Sequence, residues 1–474
     1  MRSLGSVLLA ATLASLLPQT AAAQTRLSAE ELQQRAIERR AVEAVNWGIP
    51  VVNFNRMYEA ASGAGADFNQ IVYWSGLFDW KNQTLTPNPD TIYFKPFFDT
   101  RDAGPMVLEI PPAGDTGSIT GTIMDVWQAA LEDVGPAGVD KGKGGRYLIL
   151  PPGSTQTSPD GYIVLPSSTY EGFALLRSVL KSGDAAGVKQ AVDYGLAGIK
   201  LYPLSQAADP PATRFVDVLG KEFDSTIHYD LSFFESLDRI VQYEPWLPRD
   251  KVMVDLLKSI GIEKGKPFDP DANTTEILEA AIAEARAWLD LRYETVFEPY
   301  FEGAHWAIPA APGLVETSAT SYETPNTYPI DARAVTDYWA FSTVKHLGAG
   351  QFYLMSTKDK DGRPLDGNRT YKLTVPADAP VTQYWSAVVY DRATHALIRE
   401  VPSPSKSSQT VGLHTNADGA VDLYFGPKAP AGKESNWIPT KPGGRFEVLF
   451  RLYGPEKPLF EKTWILPDIE ETRS

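Results

Sequence analysis

Thr91-Ile92-Tyr93-Phe94-Lys95-Pro96-Phe97-Phe98 is followed, after a polar break closed by Gly104-Pro105, by Met106-Val107-Leu108-Glu109-Ile110. Runs this short, rich in β-branched and aromatic residues and cut by Gly and Pro, read as strands. The pattern continues through Ser118–Trp127, Arg146–Leu150 and Tyr162–Leu165. It returns near the C-terminus in Gln351–Thr357, Thr370–Val375, Gln383–Tyr390, Ala420–Phe425 and Arg445–Leu452. There Asn416-Ala417-Asp418-Gly419 supplies the positive-φ positions of a hairpin turn. Strands at such spacing predict sandwiches of the jelly-roll kind. The expected class is α+β: two β-sandwich, jelly-roll-like domains bracketing a mainly helical segment.

Outward from these strands the period changes. Ser28-Ala29-Glu30-Glu31 is a capping box, in which Ser28 and Glu31 satisfy each other's backbone donors. It predicts a helix to about Val45, closed by Gly48 and Pro50. Residues 170–300 read as mostly helical, with Phe223, Ile227, Phe234, Leu237 and Val241 at helical spacing and an end at Glu244-Pro245. Asn273-Thr274-Thr275-Glu276 reads as a second capping box. Residues 306–332, rich in Pro, Ala, Ser and Thr, read as a long surface connection. A helix near Arg333–His346, stopped by Gly348, follows. The expected division is a signal peptide at 1–23, an N-terminal helix and β domain at 24–168, a helical segment at 169–305, a linker and helix at 306–349, and a C-terminal β domain at 350–474.

Arg2, the apolar stretch Leu4–Leu17 and Ala21-Ala22-Ala23 predict a secretory signal cleaved before Gln24, hence a periplasmic or secreted protein without membrane insertion after processing. The 474 residues carry 44 Lys+Arg against 59 Asp+Glu, a net charge of −15. Such a surface repels phosphate backbones and disfavours nucleic-acid binding. There is no Cys, which excludes disulfides, thiolate metal sites and thiol nucleophiles.

Thr86-Pro87-Asn88-Pro89-Asp90-Thr91-Ile92-Tyr93 resembles the signature of the family known as domain of unknown function 1254. Ile123–Trp127 and Gly145–Gly153 resemble its next two blocks. Tyr384–Asp391, the Asn416–Gly419 turn, Lys433–Pro439 and Phe446–Tyr453 resemble the partner family, domain of unknown function 1214. The resemblance implies two sandwich domains around helices and supplies no chemistry. Pro89 stands where the signature has a second Asn, and Leu131-Glu132-Asp133-Val134 with the Lys141/Lys143 loop replaces a Thr- and Gly-rich stretch.

No G-x-S-x-G elbow, H-E-x-x-H, Walker A or complete G-x-G-x-x-G is present, so no cofactor and no metal site is expected. Asp269-x-Asp271-x-Asn273 lacks the Gly and bidentate Glu of a calcium loop and reads as a helix cap. Among the five histidines, His228 lies four residues after Asp224 on an expected helix face, His346 in an expected last helical turn, and His305 in a loop; His395 and His414 are candidates to meet across strands, a pairing the sequence does not fix. The Asn88–Tyr93 block is the best site candidate, because Asx-turns around Pro89 present a carboxylate at a strand entrance; the same residues also suit a purely turn-locking role. Trp127, Trp385 and Trp437 are candidate cleft walls, and Arg146 and Arg451 candidate clamps for an anionic group. The leading expectation is a small organic or carbohydrate-like ligand bound, and converted by hydrolysis or elimination if the protein is an enzyme, in an inter-domain cleft. Asp90 is then the acid–base residue, Arg146 the electrostatic stabiliser, and Asn88, Tyr93 and the tryptophans hold the substrate. The competing class is a non-catalytic jelly-roll interaction protein; association into a homo-oligomer is compatible with either.

Overall fold

The computed structural model describes residues 27–472 except 158, 312–313, 315–316, 318–321, 325, 341–343 and 347–349. The expected signal peptide and Gly348 lie outside the described residues. Six strands form the first sheet, in the order Phe215–Asp217, Gln70–Tyr73, Ile92–Asp99, Glu171–Ser178, Ile119–Asp125 and Ala130–Val134. Against it packs a sheet ordered Lys200–Pro203, Met106–Ile110, Gly145–Leu150 and Ile163–Pro166. Alternation explains the packing: Ile92, Phe94 and Phe98 meet Leu108 and Ile149 of the second sheet, while Tyr93 and Phe97 point the other way, towards the helices. A strand buried on both faces has no polar face to show, as its sequence lacks one.

The C-terminal part repeats the arrangement. One sheet runs Gln351–Ser356, Phe446–Pro455, Val381–Asp391 and Ser405–Ser407; the other runs Trp437–Pro439, Val421–Gly426, Tyr371–Val375 and Glu470–Glu471. Leu373, Phe425, Trp385 and Phe450 fill the space between them. The opposite face of the first, carrying Val388, Tyr390 and Leu449, joins Tyr93, Phe97, Phe173 and the helices in one continuous core. The helical segment is therefore the filling between two β layers. Among the described residues, no helix is long and apolar enough to cross a membrane.

Several sequence expectations are corrected. The first helix starts at the Ser28 capping box but runs Ala29–Gly63, straight through Gly48 and Pro50. Ala44 through Asn55 are all buried, so burial around the whole circumference outweighs the hydrogen bond that Pro50 removes. Gly48 is a contact, not a stop: a Cβ there would lie 3.0 Å from Leu237 Cδ1. The N-terminal sheets do not end at 168, since Glu171–Ser178 is an inner strand of the first sheet and Lys200–Pro203 and Phe215–Asp217 also join them. Phe223–Asp224 is a short strand, and the helix expected there is Ser232–Tyr243, ending before Glu244 as read. The stretch after 305 is not a surface linker: Trp306, Ala311, Leu314 and Tyr322 are buried. Its helix, Ile330–Trp339, ends well before His346.

The helix Ala272–Thr295 is capped by Asp271, whose Oδ1 accepts the Thr274 N–H at 2.7 Å, so Asn273 lies inside it. Asp271→Ala should cost about 1 kcal/mol in chemical denaturation, and Asn273→Ala close to nothing. Equal losses would return the cap to Asn273.

Candidate functional site

The segment Thr86–Tyr93 is held by both β domains. The Thr86 N–H donates to His395 O at 2.7 Å, and Thr86 O accepts from Arg451 Nη2 at 2.8 Å. Tyr390 OH donates to Pro87 O at 2.6 Å. The Asn88 amide donates to Tyr384 OH at 3.1 Å and Tyr453 OH at 2.6 Å; its Oδ1 accepts the Asp90 N–H at 3.0 Å, forming the expected Asx-turn. The two tyrosine rings stack at 4.4 Å, and burial pushes both hydroxyls above the ordinary phenol range, so they stay neutral. Thr86 itself sits at φ +36°, a strained conformation for a β-branched residue that the flanking hydrogen bonds hold in place. The block is thus a clamp between domains as well as a turn.

Beside this clamp lies a cavity of ≈ 610 Å³ to which both domains contribute, a size suited to a small organic molecule. Its walls are largely apolar, among them Leu85, Val134, Leu175, Ile308, Trp339 and Leu449. Two guanidinium groups stand out against them, Arg451 buried and Arg177 partly buried. On the strand Glu171–Ser178 the alternation Leu175, Arg177 faces the cavity, with Tyr93 across the strand pair from Arg177. On Phe446–Pro455 the alternation Leu449, Arg451, Tyr453 does the same, with Tyr353 across from Arg451. Each domain contributes one cross-strand Tyr–Arg pair.

Arg177 Nε reaches Tyr93 OH at 3.4 Å. Arg451 lies 5.1 Å from the Tyr353 ring and 5.5 Å from the Tyr390 ring, and its Nε and Nη1 are buried without a hydrogen-bond partner. No Asp or Glu among the described residues forms an ion pair with either arginine, although 59 acidic residues are available in the chain. Guanidinium stays protonated at any physiological pH, so the cavity holds two fixed positive charges.

A histidine and a carboxylate occupy another part of the wall. Thr122 and Asp133 are register partners on Ile119–Asp125 and Ala130–Val134. Asp133 accepts from Thr122 OH at 2.8 Å, from the N–H groups of Lys345 and His346 at 3.0 and 2.7 Å, and lies 3.1 Å from His346 Nδ1. This pairing corrects the reading of His346 as a helix-terminal residue.

Of the residues expected at the site, Tyr93 lines the cavity and Asn88 braces the tyrosines behind it. Asp90 does not line it: Oδ1 accepts from Ser405 OH at 2.9 Å, and Oδ2 is buried without a partner. Burial pushes the Asp90 carboxyl up to about 6, against the pull of Ser405, Arg451 and Lys406. The guanidinium beside Asp90 is therefore that of Arg451; Arg146 is exposed on another sheet, 4.3 Å over the Tyr162 ring. The tryptophans do not meet in a cleft. Trp127 packs on Trp47 at 4.8 Å, Trp385 stacks on Phe450 at 5.5 Å in the C-terminal core, and Trp437 donates to Gly426 O at 2.8 Å. His228 lies on no helix; its Nε2 is 3.2 Å from Arg56 Nη2, and Asp224 is engaged by Arg399. His305 pairs with Asp468. His395 is buried on Glu447 and His414 N–H bonds Asn436, so these two share no partner. Sequence reasoning passed over Arg177 and Asp133. The available signal was a single charge in Phe173-Ala174-Leu175-Leu176-Arg177, in phase with Leu175.

Residues 68–203 match the family described as Protein of unknown function (DUF1254), and residues 350–457 match Protein of unknown function (DUF1214). No curated protein matches the chain. The crystal structure of the VPA0106 protein from Vibrio parahaemolyticus superposes with a TM-score of 0.58 at 16% identity, covering 92% of this chain and all (100%) of that one, which shows a shared fold. An uncharacterized protein from Burkholderia cenocepacia gives a TM-score of 0.42 at 11% identity, over 93% of this chain and 95% of that one.

Two outcomes follow from the clamp. Asn88→Ala removes both tyrosine contacts and the Asx acceptor, and should lower stability by roughly 2–4 kcal/mol in urea denaturation; a loss under about 0.5 kcal/mol would contradict the inter-domain bonds. For Asp90, a folded pKa of about 6 lies above the ordinary 3.8. The folded state binds that proton more tightly than the unfolded chain, so the contribution is full below about pH 4 and is lost as pH rises through about 6. Asp90→Asn, always neutral and still able to accept from Ser405, should gain on the wild type by on the order of 3 kcal/mol between pH 4 and 8. A difference independent of pH would contradict a buried carboxyl.

Proposed function

We propose that this chain, which belongs to the DUF1254 family over residues 68–203 and to the DUF1214 family over residues 350–457, is an exported protein that binds a small organic anion between its two β domains. One observation carries the reading: Arg177 and Arg451, one from each domain, face a single cavity without a carboxylate partner among the described residues. Burying an unpaired cation costs several kcal/mol. Nothing in a strand-pairing scheme needs that charge, since Leu or Met would fill the same positions. A carboxylate, sulfonate or phosphate would offset the cost, with bidentate geometry available to each guanidinium. The apolar walls suit a hydrocarbon or aromatic body, and the hydroxyls of Tyr93 and Tyr353 suit its polar substituents. Export is supported by Arg2, the apolar stretch Leu4–Leu17 and Ala21-Ala22-Ala23 at the N-terminus.

The test uses the mature protein with benzoate, phenyl phosphate and the neutral benzyl alcohol in thermal denaturation. A ligand that binds only the folded state raises the midpoint. The two anions should raise it and benzyl alcohol should not. Arg177→Met and Arg451→Met should each weaken the anion response at least tenfold in half-saturating concentration. The unliganded Met variants should be within about 1 kcal/mol of the wild type or more stable, because a buried unpaired charge is removed. An equal response to benzyl alcohol, or a full anion response in the double variant, would refute the reading.

A further inference from the structure

Resting on the anion-binding reading of the same cavity, we infer that His346 Nε2 is a general base, set by Asp133, which takes a proton from the molecule the arginines anchor or from a water attacking it. The geometry has three parts. Asp133 is buried and fixed from four sides, by the Thr122 hydroxyl, the N–H groups of Lys345 and His346, and the His346 ring at 3.1 Å. A carboxylate on Nδ1 selects the tautomer with its proton there and leaves Nε2 as the acceptor. The His346 side chain is half-exposed, and both residues line the cavity.

The sheet also sets the span. Arg177 pairs with Thr120, and Asp133 pairs with Thr122, two residues further along the same intervening strand. Two strand spacings and two residue rises separate Arg177 from Asp133 by about 12 Å between Cα atoms. With both side chains reaching inward, that leaves room for a molecule about one aromatic ring long. In the step, an O–H or C–H bond breaks, the proton passes to Nε2, and the electron pair stays on the oxygen or carbon. The imidazolium formed is stabilised by Asp133, which keeps its negative charge. Among the described residues, Glu132 also faces the ring, 3.7 Å from Nδ1, and is itself paired with Lys345 at 3.2 Å. His346 is the catalytic residue here and Asp133 the positioning residue.

The probe is 4-(bromomethyl)benzoate, which matches the span and reports a free imidazole nitrogen: the benzylic carbon bonds to Nε2 and bromide leaves. Mature protein is incubated with it, and adducts are located by peptide mass spectrometry, the other histidines serving as internal competitors. The expected result is one adduct, on His346, with a rate that saturates in reagent and is suppressed by benzoate. The rate should rise with pH along a single deprotonation. Asp133→Asn should shift that pH profile and slow the limiting rate about tenfold, a change that loss of fold stability alone would not produce. Arg451→Met should raise the half-saturating concentration and leave the limiting rate alone. If benzoate raises the unfolding midpoint but His346 stays unmodified, the inference is overturned and the anion site stands. If neutral benzyl bromide modifies His346 as fast as the charged reagent, the anchoring falls and the inference falls with it.

Discussion

Two arginines without carboxylates are the constraint on which this structure turns. A buried guanidinium in an apolar wall is unfavourable by itself, and the usual remedy is a neighbouring Asp or Glu. Elsewhere the chain applies that remedy: Arg239 is paired with Glu171, and Arg392 with Asp290 and Glu294. At Arg177 and Arg451 it substitutes tyrosine rings and a backbone carbonyl, which stabilise a cation without neutralising it. Burial pushes the nearby Asp90 carboxyl up to about 6 and so weakens its ionisation beside Arg451. The two guanidinium groups set a positive potential in their part of the cavity, with Asp133 on another part of its wall.

The inter-domain clamp makes that potential possible. Thr86, Pro87 and Asn88 supply a carbonyl to Arg451, a carbonyl to Tyr390 and an amide to Tyr384 and Tyr453. A two-residue strand before them and a long strand after them anchor the segment in the N-terminal half. The same segment thereby positions the C-terminal arginine and places Tyr93 opposite the N-terminal one. Pro89, where the family signature carries an amide, suits this arrangement, since the Asn88 side chain already supplies the amide bonds to Tyr384 and Tyr453.

The strands, their grouping into two β regions around helices, and the family resemblance were legible because short alternating runs and ordered motif blocks are local features. The helix through Pro50 was not legible, because local breakers lost to burial contributed by elements far away in sequence. The same holds for Glu171–Ser178, read as part of a helical stretch although it is an inner strand. At the site, the Asx-turn read in the Asn88–Tyr93 block is present. Asp90 with Arg146 was the wrong pairing of charges, because a sequence does not tell which sheet a strand joins. Arg177 and Arg451 become a pair only once two sheets separated by the helical segment are brought face to face.

The central claim is that these two arginines are held for an external anion. The most direct measurement is a crystal structure of the mature protein soaked with 4-bromobenzoate, read by anomalous scattering at the bromine edge. The account predicts a bromine peak inside the cavity with the carboxylate on Arg177, Arg451 or both. A cavity empty of bromine, with Asp90 or another carboxylate of the chain turned onto Arg451, would contradict it.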